Sequence, residues 1–144
     1  MNNDLQTLFD DMANADAEMR SKYHVTLGEM LQALGHLGDG QVVAITPDGR
    51  EHGMCDPHSY RGYYSDLALT PTDTPTGSGE LWVQLMAVLD NELTGYKGGE
   101  FTMTENTPLW LAAYGDDSSE ALVRWELDQE NGLLKFYTKN VSWS

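Results

Sequence analysis

The sequence predicts an α+β domain, an antiparallel or mixed sheet of five to six strands with two to three helices packed on it. Two observations carry that prediction. Apolar residues recur at helical spacing in three segments before residue 95, and short β-rich runs separated by brief turns fill the chain from residue 100 onward. With 144 residues, 40% of them apolar, residues 1–144 read as one domain able to bury a core without disulfide or metal staples.

The elements follow in order. Leu5, Leu8, Met12, Ala15, Met19 and Tyr23 are spaced as one helical stripe, with Asp10, Asp11, Asp16 and Glu18 elsewhere around the turn, so residues 4–23 predict an amphipathic helix. This helix either packs on its own domain or serves as an interaction or dimer element, and residues 24–144 form the core. In TLGEMLQALGHLGDG, Thr26 and Glu29 make a capping box, and Leu27, Met30, Leu31, Leu34 and Leu37 form a buried stripe. Gly38 or Gly40 ends that second helix. QVVAI (41–45) is β-branched, is closed by Pro47, Asp48 and Gly49, and predicts a strand buried on both faces.

Residues 50–59 show no period and contain Gly53 and Pro57, which predicts a loop. Residues 60–69, rich in Tyr and Leu, suit a strand, and TPTDTPTGSG (70–79) reads as a loop. Ser78 can cap a helix from Glu80 to about Leu93, with Leu81, Trp82, Leu85, Met86, Leu89 and Leu93 facing inward and Gly95 stopping it. EFTMT, PLWLAAYG, EALVRWELD and GLLKFYT complete the sheet, joined by ENT, DDSS and QEN turns of antiparallel length.

Charge narrows the function. Eight Lys and Arg face 23 Asp and Glu, and a net charge of −15 repels phosphate backbones and anionic membranes, so direct nucleic-acid or membrane binding is not expected. The single Cys55 rules out an intramolecular disulfide, and the first twenty residues carry acids where a signal peptide needs an apolar run. Both suit the cytosol.

Catalytic patterns are absent from the sequence: there is no G-x-x-x-x-G-K, no G-x-S-x-G and no H-E-x-x-H. In EHGMCDPH, His52, Cys55 and His58 recur at three-residue intervals and are zinc ligand types, but a closed site takes four ligands at other spacings, so they are weak metal candidates. A Cys and His nucleophilic pair would need a third orienting group that the sequence does not supply. No cofactor is expected.

Two other segments are alike. YRGYY (Tyr60, Arg61, Gly62, Tyr63, Tyr64) and GYKGGEF (with Tyr96, Lys97, Gly98 and Gly99) each set a cation beside tyrosine and glycine. Glycine admits close backbone approach, an Arg fork takes a phosphate bidentately, and a tyrosine face offers a stacking platform. These are the parts of a nucleotide or planar-anion pocket, which in so acidic a chain must be local and enclosed. Tyrosines alternating on a strand, with Arg61 at its rim and a Gly-rich turn elsewhere, account for the same residues without a ligand.

HSYRGYYSDLAL, GYKGGEFTMTENTPLWLAAYG and the TLGEMLQAL helix opening resemble segments of a family of small bacteriophage- and prophage-encoded proteins. The resemblance covers roughly residues 25–115 and comes with no assigned activity, so it implies a setting in the host bacterial cytosol and no catalytic residues. In that setting the expectation is an accessory factor that antagonises host antiviral defence. It would act by sequestering a nucleotide-type signal, with Arg61 and Lys97 on the phosphates and Tyr60, Tyr63, Tyr64 and Tyr96 on the bases, in a pocket that a homo-oligomer interface could complete. The alternative is a DNA-mimic-like inhibitor whose Asp10, Asp11, Asp16 and Glu18 occupy the basic groove of a host nuclease or defence effector. A third reading, a small enzyme degrading such a signal, would use His52 or His58 as general acid or base.

Overall fold

The computed structural model describes residues 24–60, 66–94, 99–112 and 120–140. Within them the chain forms α1 (Leu27–Leu37), β1 (Gln41–Ile45), β2 (Glu51–Ser59), β3 (Leu67–Thr72), β4 (Thr76–Gly77) and α2 (Ser78–Val88). There follow β5 (Glu92–Thr94), β6 (Glu100–Thr102), β7 (Leu109–Leu111), β8 (Glu120–Asp128) and β9 (Leu133–Asn140). The class is α+β, as the sequence predicts, with more strands than expected: a mixed sheet in the order β2-β3-β7-β8-β9-β1-β4 and a separate β5-β6 ribbon.

That sheet closes on itself. β1 pairs with β9 in parallel along its whole length, while its other edge is shared, with β4 at Gln41 and Val42 and with β2 at Ala44 and Ile45. The six strands β2, β3, β7, β8, β9 and β1 therefore form a ring of pairings. Val42, Val43 and Ala44 are all buried, as QVVAI predicts.

One side of the strands holds the main core. Val42, Met54, Leu67, Leu69, Leu109, Leu122, Leu134 and Phe136 meet Leu27, Met30 and Leu34 of α1 and Leu81 and Leu85 of α2. A smaller cluster on the opposite side joins Tyr60, Ala68, Trp110 and Ala121. Leu109 and Leu111 thus face the main core while Trp110 between them faces the other way, the two-residue alternation of a strand.

α1 forms as its sequence dictates. Thr26 Oγ1 accepts from the Glu29 amide at 3.3 Å, and Gly38 at φ 69° closes the helix with its amide on the Leu34 carbonyl. The remaining first-turn donors dock on a neighbouring turn, Leu27 on the Thr107 carbonyl at 2.9 Å and Gly28 on Glu105 at 2.8 Å.

Three expectations are corrected. Residues 51–59 are strand, not loop: Thr76 Oγ1 accepts from the Met54 amide at 2.8 Å and donates to the Met54 carbonyl at 2.9 Å, tying β4 to β2. The alternation is illegible because the register shifts between Cys55 and His58, where Asp56 takes φ 49° and Pro57 sits. Second, Thr70, Pro71 and Thr72 are not loop but the end of β3, while residues 61–65 of the strand expected over 60–69 lie outside the described residues. Past Leu69, the pairing of β3 with β7 ends, so Pro71 interrupts no ladder on that side.

Third, α2 runs from Ser78 to Val88 and not from Glu80 to Leu93. Ser78 does not cap it. Its hydroxyl accepts from the Gly40 amide at 3.0 Å and donates to the Gly38 carbonyl at 2.7 Å, joining the end of α1 to the start of α2. The helix stops where Leu89 turns extended and Asp90 takes φ 59°, and Leu93 enters β5. Trp82 and Met86, expected inside, are 39% and 44% exposed. Strands are present within EFTMT, PLWLAAYG, EALVRWELD and GLLKFYT, the last three residues of PLWLAAYG lying outside the described residues, although EFTMT supplies β6 of the ribbon and not a strand of the main sheet. No helix among the described residues is long and apolar enough to cross a membrane.

Candidate functional site

The best-defined polar centre among the described residues lies at the root of the YRGYY segment. Asp66 and Trp110 are fully buried, and the Trp110 indole Nε1 donates to Asp66 Oδ2 at 2.8 Å. Tyr60, 7% exposed, stacks on the same indole with centroids 4.4 Å apart and planes at 11°, while His24 meets its edge at 4.7 Å and 61°. His24 Nδ1 lies 3.4 Å from the Leu109 carbonyl.

Backbone bonds join the same two positions. The Tyr60 amide donates to the Asp66 carbonyl at 2.8 Å, and the Leu67 amide donates to the Pro108 carbonyl at 3.1 Å. Both ends of the segment are therefore held twice, once by backbone bonds and once by Trp110, which stacks on one end and hydrogen-bonds the other. Arg61, Gly62, Tyr63 and Tyr64 fall between those ends, outside the described residues.

The second segment has a comparable frame. Thr94 pairs with Glu100 and Leu93 with Phe101 in the β5-β6 ribbon, and Gly99 at φ 82° leads into β6. Leu93 and Phe101 pack on the main core and fix the ribbon's base. Tyr96, Lys97 and Gly98 lie outside the described residues. Next to them Glu100 raises the pKa of Glu92, first by hydrogen bonding and then by like charge.

The His52, Cys55 and His58 trio sits on β2. An offset of three puts His52 and Cys55 on opposite faces of a strand, and the bulge separates Cys55 from His58. Among the described residues no three His, Cys, Asp or Glu side chains gather as a metal site. Burial and then the neighbouring Asp56 carboxylate, to which Sγ donates at 3.5 Å, push the Cys55 thiol pKa up, the reverse of what a nucleophilic thiolate needs. His58 Nδ1 donates to the Asp56 carbonyl at 2.9 Å. Asp10, Asp11, Asp16 and Glu18 of the expected N-terminal helix lie outside the described residues.

Sequence reasoning missed Trp110, Asp66 and His24. The available signal was a tryptophan inside the LWL run: a buried indole N–H needs an acceptor, and SDLAL offers a carboxylate at the start of the neighbouring strand. No family model, no curated protein and no solved structure matches this chain.

Proposed function

We propose that this protein binds a small anion of nucleotide type and does not transform it, with Arg61 and Lys97 as the phosphate contacts and Tyr63, Tyr64 and Tyr96 as stacking partners. The observation that supports this reading is the double anchoring of the segment's ends by the Tyr60–Trp110 stack and the Trp110–Asp66 hydrogen bond. A binding loop gains affinity when its ends are fixed beforehand, because less ordering is left for the ligand to supply. In this reading Tyr60 holds the loop while its neighbours touch the ligand.

The phage resemblance gives the biological reading: an accessory factor that sequesters a nucleotide signal of host defence. A chain of net charge −15 gains nothing from bulk attraction for such a ligand, so affinity has to come from short-range contacts at the two Gly-flanked cations. Titration calorimetry with mono-, di- and cyclic nucleotides tests the proposal. Binding that Arg61→Ala or Lys97→Ala removes while the fold persists supports it, and turnover of the ligand would replace it with the enzyme reading.

A further inference from the structure

An open cleft of about 190 Å³ lies where the end of α1 meets the start of α2, lined by Leu34, Gly35, Asp39, Gly79 and Trp82 among others. Gly35 sits inside α1 and Gly79 in the first turn of α2, and a Cβ added to either would meet no atom within 4 Å. Neither lies in the left-handed region. Glycine is the poorest helix former after proline, so both positions forgo helix stability with no close neighbour or special backbone angle that demands it. The space they leave is the cleft. Trp82, Val83 and Met86, at 39%, 66% and 44% exposure, extend it as an apolar face along α2.

We propose that this cleft and the adjoining face of α2 dock a basic amphipathic segment of another protein, with one apolar side chain seated between Leu34 and Trp82 and lysines or arginines around it. Charge complementarity selects this occupant. Asp39 lines the cleft, and neither helix contains Lys or Arg to offset it. A second copy would bring the same acid, and another −15, against this face. A small molecule is disfavoured by size, since such sites usually enclose about 300–1,000 Å³. The proposal stands independently of the nucleotide reading.

The test uses the full chain and three labelled synthetic helical peptides, one of Leu and Lys, one of Leu and Glu, and one of Ser and Lys, followed by fluorescence anisotropy. The expected result is binding of the Leu and Lys peptide alone, weakened on the order of tenfold by Trp82→Ala and by Gly35→Leu, whose Cβ meets no atom within 4 Å and whose side chain would occupy the cleft. Gly79→Ala adds a methyl group to the same cleft and favours the helix, so it should weaken the peptide while raising the melting temperature. Equal binding of the Ser and Lys peptide, binding indifferent to cleft filling, or no binding of any peptide would overturn the proposal. So would sedimentation showing a dimer that Gly35→Leu dissociates, because the occupant would then be a second copy.

Discussion

Tyr60 and Trp110 stack almost in parallel across the side of the sheet that faces away from the helices, 4.4 Å between centroids. Because the same indole also bonds Asp66, one tryptophan from β7 fixes where the chain leaves β2 and where it enters β3.

Trp110→Phe separates the two contacts. The ring remains to stack on Tyr60, but fully buried Asp66 loses the indole donor, a cost of about 1–3 kcal/mol. Denaturant unfolding should show a lower midpoint with an unchanged slope, and nucleotide affinity should fall further than stability alone explains.

Gly53 is required by close approach. A Cβ there would stand 2.0 Å from the Thr74 carbonyl oxygen and 2.2 Å from Thr72 Oγ1, so β2 could no longer lie against the 72–76 turn. Gly53→Ala should destabilise by about 1–3 kcal/mol or more through overpacking, seen as a lowered thermal midpoint.

Ser78→Ala removes the hydroxyl that joins Gly38 to Gly40. Gly38 is an exposed residue and both bonds are only partly buried, so water can replace the hydroxyl and the expected cost is about 0.5–1.5 kcal/mol, measurable by chemical denaturation. A larger loss would mean that the junction of the two helices depends on this bond.

Acid titration should distinguish carboxylates of opposite behaviour. Glu92, raised by Glu100, favours its protonated form in the fold, so stability of the ribbon rises as pH falls through its folded pKa and is lost as pH climbs back. Asp128, held low mainly by its hydrogen bonds from Asn131, contributes stability present above the ordinary aspartate range and lost as pH falls through its lowered value. Carboxyl NMR should place Glu92 above Asp128 and return it toward normal in Glu100→Gln.

How much of this was legible depended on whether local signals agreed with tertiary ones. α1 was readable to its caps because Thr26, Glu29, the leucine stripe and Gly38 all point to the same helix. β2 was not, since Gly53 is explained only by a neighbouring turn and Pro57 only by a bulge, and neither is local information. α2 was overextended because its leucines continue past Val88 in helical register, although Leu89 and Leu93 serve a turn and a ribbon. Its apolar residues also surround the helix, so the inward face could not be told from the exposed Trp82 and Met86 by spacing alone. The candidate segments were visible as composition, but the anchoring of the first on Trp110 required the pairing of β3 with β7, and the frame of the second required the β5-β6 ribbon.

Native mass spectrometry of the intact protein with a panel of nucleotides and cyclic nucleotides, wild type beside Arg61→Ala, tests the binding claim most directly. The proposed function predicts a stoichiometric adduct with one ligand class that Arg61→Ala loses while its melting temperature holds. Protein without adduct for every compound, or an adduct that Arg61→Ala retains in full, would contradict it.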